Sequence, residues 1–138
     1  MKRLLIVTAV LEAGIGISLL AVPSMVAEVL LGAPLDAPAA LTVARVAGAA
    51  LLALGVACWL AVSDTKSCAA RGVVTAMVIY NIGAAIVLGA AGIQSQRTGS
   101  SLWPAVILHA AMTVWCVSVL LGKESGMEPS ELNRSKQS

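Results

Sequence analysis

Charged and aromatic residues are both scarce in this chain. Asp, Glu, Lys and Arg make up 12% of the 138 residues, against roughly 25% in a soluble domain. A soluble protein of this size needs many polar side chains to cover its surface, so the composition excludes a soluble enzyme and a disordered regulator. The net charge of +2 is too small for the basic surface that binds nucleic acid, and we expect no nucleic-acid partner.

Aromatic residues make up 3% of the chain, and phenylalanine is absent. This argues against an aromatic cage for a hydrophobic cation and against a small multidrug exporter, although such exporters also have four short helices and a glutamate in the first. The three cysteines, Cys58, Cys68 and Cys116, form no C-x-x-C pair, so a thioredoxin-like redox site is not expected. Cys58 and Cys116 lie in apolar runs and are expected to be buried.

Long apolar runs fill most of the chain, in which hydrophobic residues make up 59%. Four runs are close to the roughly 20 residues that cross a membrane as a helix: 4–22, 39–62, 72–92 and 102–121. The sequence therefore predicts an all-α fold, a four-transmembrane-helix antiparallel bundle in the lipid bilayer, over residues 1–122. The polar stretch 123–138 lacks apolar periodicity, which predicts a disordered cytoplasmic tail.

Between the first two runs, Pro23 predicts a helix break, because proline lacks the backbone donor that continues the helix. Apolar residues at helical spacing in 24–31 predict a short helix near the membrane surface, and Asp36 is the expected N-cap of the second span. Residues 1–27 also resemble a signal peptide, with a basic start and a small-residue cleavage site. Glu12 interrupts the apolar stretch that such a peptide needs, so we expect a retained helix.

Basic residues are unevenly distributed between the two sides of the predicted bundle. With the N-terminus inside, the inner side holds seven of them: Lys2, Arg3, Lys66, Arg71, Lys123, Arg134 and Lys136. The outer side holds only Arg97. Lys and Arg are concentrated in the cytoplasmic segments of membrane proteins, so we expect a multi-pass inner-membrane protein with both termini in the cytoplasm.

Each predicted span contains one costly polar side chain: Glu12, Arg45, Asn81 (next to Tyr80) or His109. A charge at the bilayer centre costs roughly 2.5–3.5 kcal/mol on insertion scales, so these groups are expected to face the bundle interior, on stripes of small residues that let helices approach closely. A rise of about 1.5 Å per residue places Glu12, Asn81 and His109 near the midplane. Arg45 starts nearer the outside, and its long side chain is expected to reach inward.

The expected chemistry is an ion pair between Glu12 and Arg45, with hydrogen bonds from Tyr80, Asn81 and His109. Two interpretations stay open: an interhelical clamp that fixes helix packing, and a ligand or proton site, since polar residues at membrane depth are functional candidates. No metal site is expected, because the chain has neither paired cysteines nor a His-x-x-x-His motif. Axial haem ligation by His109 alone is a weaker alternative.

Two tryptophans lie near the ends of predicted spans. Trp59 is close to the inner end of the second span, and Trp103 opens the fourth. Tryptophan is enriched at membrane–water interfaces because its ring is amphipathic. Both are therefore expected to anchor their helices at an interface.

The order of these residues is similar to that of a known group of membrane proteins. The likeness is carried by Leu11-Glu12-Ala13-Gly14, by the small-residue run 44–55 that contains Arg45, by Tyr80-Asn81, and by Trp103-Pro104 followed by His109. Over about residues 4–122 the chain resembles the small bacterial DoxX-like membrane proteins. The resemblance implies a four-helix inner-membrane protein, in some cases associated with quinone or thiol redox systems. The missing paired-cysteine motif argues against the thiol role.

Three functions stay open, and we favour the first. It is binding of a small or lipophilic, quinone-type ligand by the polar residues, in an accessory subunit of a membrane redox complex. The second is a structural or assembly role in which the polar residues only set helix packing; for any of the three functions, the partner to be expected is another membrane protein or a second copy in a homodimer. The third is a proton-coupled transporter using Glu12, against which Arg45 argues, because a carboxylate held in an ion pair is a poor proton carrier. No nucleophile–base pair or phosphate loop points to an enzyme, and the sequence identifies no cofactor.

Overall fold

The computed structural model describes residues 1–95 and 98–122. The tail at 123–138, expected to be disordered, and Arg97 lie outside the described residues. The described part is all-helical and contains no strand, which confirms the predicted fold class. Its helices follow in this order: α1 Lys2–Ala21, α2 Pro23–Leu31, α3 Pro38–Ala61, α4 Cys68–Gln94 and α5 Leu102–Leu121.

Four of these helices, α1, α3, α4 and α5, are long and apolar enough to cross a membrane, and they coincide with the four predicted runs. The largest difference is at the start of α4, which begins at Cys68, four residues before the apolar run. Ser67 caps this helix, since its hydroxyl oxygen accepts a hydrogen bond from the Ala70 N–H at 3.1 Å. Hydropathy marks the apolar part of a span, whereas the helix itself continues to its cap.

The predicted break at Pro23 is present, but the short helix α2 begins at Pro23 itself, one residue before the expected stretch 24–31, because proline at the first helical position lacks a donor that would be unused there anyway. It ends at Gly32, whose φ of 83° lies in the left-handed region that favours glycine. Asp36 is not the N-cap of α3: that position belongs to Ala37, which makes no side-chain cap bond. The helix starts one residue later than expected because Pro38 occupies its first position.

The long helices pack as two antiparallel pairs, α1 with α3 and α4 with α5, and the contacts between the pairs are fewer. Glycines bring α1 and α3 together. A Cβ added to Gly16 would lie 2.7 Å from the carbonyl oxygen of Gly48, and one added to Gly55 would lie 3.0 Å from the backbone nitrogen of Ala13. Such small residues let helix backbones approach closely in a membrane.

The interior is tightly filled in the half of the bundle where the chain starts. A buried apolar cluster there joins all four long helices: Leu4, Leu5, Ala9, Cys58, Val74, Met77, Met112 and Cys116. The predicted burial of Cys58 and Cys116 is confirmed, and Cys68 is exposed. Trp59 and Trp103 are both exposed, near the end of α3 and the start of α5, and their anchoring in a membrane interface stays a prediction.

Candidate functional site

Asn81 and His109 join α4 to α5 near the middle of the bundle. The Asn81 Nδ2 group donates a hydrogen bond to the Met77 carbonyl at 2.8 Å, and Asn81 Oδ1 lies 2.8 Å from Nδ1 of His109. Because a backbone carbonyl only accepts, the bond to Met77 assigns the orientation of the amide, with its oxygen toward the ring. His109 Nδ1 therefore carries the proton and donates to Asn81.

This assignment leaves Nε2 of the neutral His109 ring as an acceptor. The bond to Asn81 is the side-chain hydrogen bond that His109 makes within the described residues, so Nε2 is unused there. The ring of Tyr80 packs edge-on against the imidazole, with centroids 5.6 Å apart and an interplanar angle of 82°. This edge-to-face contact holds the orientation of the histidine.

Glu12 approaches the same place from α1. Its side chain is only 7% exposed and lies close enough to the Tyr80 hydroxyl for the two groups to interact electrostatically. Glu12, Tyr80, Asn81 and His109 thus meet from three helices, and we call them the polar cluster. They are four of the five residues that the sequence predicts to converge.

Arg45, the fifth, does not reach the polar cluster. Its side chain is exposed on α3, and within the described residues it does not interact with Glu12. Gly55 marks the level of Glu12 on α3, because its added Cβ would contact the backbone of Ala13. Arg45 lies roughly 15 Å from Gly55 along the helix axis, beyond the reach of its side chain. The predicted Glu12–Arg45 ion pair is therefore wrong.

A cavity of about 360 Å³ extends from the polar cluster toward the end of the bundle where α2 lies. This volume is within the roughly 300–1,000 Å³ typical of small-molecule sites. Beyond the polar cluster its walls are mostly apolar and come from α1, α2, α4 and α5: Leu11, Ile15, Val26, Val29, Leu30, Leu88, Ala105, Leu108 and Met112. The cavity therefore combines a polar inner end with an apolar outer part.

The wall between α1 and α5 is the exposed side of the cavity. Ile15 on α1 and Leu108 on α5 both line it and are 50% and 44% exposed. These two helices make few contacts with each other. In a bilayer this side would face the acyl chains, so an apolar molecule could enter from the hydrocarbon region without crossing water.

Helix α2 covers the end of the cavity away from the polar cluster. The Ser101 N–H donates a hydrogen bond of 3.2 Å to the Val29 carbonyl, which ties α2 to the start of α5. Gly99 packs so closely on α2 that an added Cβ would overlap the same Val29 carbonyl. Backbone contacts thus hold α2 over this end of the cavity.

Thr8 is a buried polar residue on the cavity wall that the sequence reasoning missed. It is 1% exposed, and its Oγ1 has no hydrogen-bond partner within the described residues. A buried hydroxyl without a partner costs about 1–3 kcal/mol. Its position one helical turn before Glu12, on the same face of α1, is the signal that could have found it.

Within residues 1–95 and 98–122, no group of three or more His, Cys, Asp or Glu side chains is placed to hold a metal ion. No protein-family model, no curated protein and no solved structure matches this chain.

Proposed function

We propose that this protein is an integral inner-membrane protein that binds a small lipophilic ligand of quinone type. The polar head of the ligand would lie against the polar cluster, and its apolar part would lie along the walls formed by α1, α2 and α5. The observation that carries this proposal is the cavity itself, which joins a buried polar end to an apolar side between α1 and α5. That combination suits a ligand with a polar ring and an apolar tail.

The hydrogen-bonding state of the cluster favours a ligand site over an interhelical clamp. A clamp uses its polar atoms on one another, as Asn81 does with Met77 and His109. By contrast, Nε2 of His109 and the hydroxyl of Thr8 have no partner within the described part of the chain. Buried polar groups are normally hydrogen-bonded, so the buried Thr8 hydroxyl supports a bound molecule as its partner, and the half-buried His109 on the same cavity offers Nε2 as a second contact.

Two finer points of the proposal rest on the sequence. The excess of basic residues near one end of the bundle supports cytoplasmic termini. The resemblance to DoxX-like proteins supports a role as an accessory subunit of a membrane redox complex. The partner would then be another membrane protein that exchanges the ligand with this cavity.

The test is the lipophilic ligand content of the full chain, purified from its own membranes in lipid nanodiscs and measured by extraction and mass spectrometry. We expect one compound to co-purify in stoichiometric amount with the wild type and to be lost from E12Q and H109L. R45A is the matched control, because Arg45 lies outside the cluster on the exposed face of α3, and it should keep the ligand. Equal ligand content in all four proteins would refute the proposal.

The same variants separate the two alternative functions. An interhelical clamp predicts that E12Q and H109L lower the unfolding temperature in detergent while no ligand is found in any protein. A proton-coupled transporter is no longer opposed by Arg45, because the ion pair is absent; it predicts pH-driven flux in proteoliposomes that E12Q abolishes. Full flux in E12Q would exclude Glu12 as the carrier.

A further inference from the structure

His109 offers a molecule in the cavity a hydrogen-bond acceptor rather than a donor. His109 Nδ1 uses its proton on Asn81, so Nε2 of the neutral ring presents a lone pair. The carboxyl group of Glu12 keeps at least one accepting oxygen in either protonation state.

The donor and acceptor nitrogens of the His109 ring cannot easily exchange roles. A flip of the ring would place Cδ2–H in place of Nδ1 against the Asn81 oxygen, and a move of the proton to Nε2 would place a lone pair of Nδ1 against it. The amide of Asn81 cannot rotate to present its Nδ2 group to the ring, because that group donates a hydrogen bond to the Met77 carbonyl at 2.8 Å. Asn81 is 2% exposed, so no water replaces a lost partner. The Asn81 amide, held in place on α4, therefore fixes the proton of His109 on Nδ1.

We infer that the polar cluster selects ligand heads that donate hydrogen bonds, such as the hydroxyl of a phenol or hydroquinone, over heads that only accept, such as the carbonyl of a quinone. The inference rests on the proposed function and specifies its ligand class. A hydroxyl would donate to Nε2 of His109 or to Glu12. A carbonyl placed against Nε2 of His109 would instead face its lone pair and gain no hydrogen bond from that ring.

The proton position can be observed directly, because the chain contains a single histidine. Nitrogen-15 NMR of the full chain, labelled at histidine and held in nanodiscs at about pH 8, above the ordinary titration range of the ring, reports on His109 alone. We expect a protonated Nδ1 and an unprotonated Nε2 in the wild type. A proton on Nε2 in the free protein would overturn the inference.

Selectivity is measured with 4-decylphenol and its methyl ether, in which one methyl group replaces the hydrogen-bonding proton. Affinities are expressed per mole fraction of probe in the bilayer, so that unequal partitioning cancels. We expect the phenol to bind the wild type about tenfold more tightly, the size of one hydrogen bond to a well-placed acceptor. The phenol should also shift the Nε2 resonance, whereas the ether should leave it unchanged.

The variants N81L and R45A complete the test. In N81L the histidine proton is no longer held on Nδ1, so most of the preference for the phenol should disappear, while R45A should keep the full preference. Equal binding of phenol and ether by the wild type would overturn the selectivity but leave a lipophilic site in place. Failure of both probes to bind would refute the proposed function as well.

Discussion

Replacing Gly16 by alanine should force α1 and α3 apart. A Cβ at Gly16 would lie 2.7 Å from the Gly48 carbonyl oxygen and 2.7 Å from the Leu52 backbone nitrogen, whereas non-bonded heavy atoms are most stable at roughly 3.5–4.0 Å. Both neighbours are backbone atoms, so rotation of a side chain cannot relieve the overlap. The helices must therefore separate locally by roughly 0.8 Å, the difference between 2.7 Å and the lower end of that range.

The cost follows from the packing that this separation loosens. Overfilling a packed interior typically costs about 1–3 kcal/mol, and α1–α3 is one of the two close pairs that build the bundle. We expect G16A to lower the free energy of unfolding by about 2 kcal/mol. G14A is the matched control: it lies on the same helix and has the same change in helix propensity, but nothing lies within 4 Å of its added Cβ.

Thermal unfolding and reversible denaturation of both variants in the same detergent provide the measurement. G16A should unfold well below the wild type, and G14A should match or slightly exceed it. G55A should fall between them, because its closest neighbour would be 3.0 Å away. If G16A and G14A are equally stable, α1 and α3 do not approach through their glycines and the description of this helix pair is wrong.

Three further results are expected. A membrane-impermeant maleimide should label the exposed Cys68 and spare the buried Cys58 and Cys116, and the proposed topology adds that it should do so only from the cytoplasmic side; mass spectrometry showing label on a buried thiol would contradict the packed core. T8V removes a buried hydroxyl that has no partner within the described residues, so the free energy of unfolding should rise by about 1–3 kcal/mol, and a fall would mean that the hydroxyl is hydrogen-bonded. G99A should speed amide hydrogen exchange in α2, because the new Cβ would overlap the α2 backbone; unchanged exchange would show that α2 is held elsewhere.

The four spans could be predicted because, in a small chain, an apolar run of about 20 residues is rarely anything other than a transmembrane helix. Pro23 likewise predicted the break between α1 and α2, since its missing donor acts locally. The first residue of α4 was harder to predict from the sequence. It depends on the Ser67 cap, a single hydrogen bond that lies outside the apolar run.

Convergence of the polar cluster could be anticipated from depth, because Glu12, Asn81 and His109 lie at similar levels of their helices. The prediction for Arg45 was wrong for a related reason. Arg45 lies at a different depth from Glu12, and its long side chain was expected to span the difference. The backbone rise along α3 exceeds that reach. The contribution of α2 to the cavity could not be anticipated, because it depends on tertiary contacts such as the hydrogen bond from Ser101 to Val29.

The close packing of α1 on α3 and the cavity beside α5 have a common origin. Gly16 lies on the face of α1 that meets α3, whereas Glu12 and Ile15 line the cavity. Because α1 is drawn close to α3, it makes few contacts with α5, and the space between them remains open. A Cβ at Gly16 would push α1 away from α3, and we expect this to narrow that space. G16A should therefore lose stability and bound ligand together. G14A leaves the α1–α3 contact unchanged, so it should keep the stability and the ligand content of the wild type.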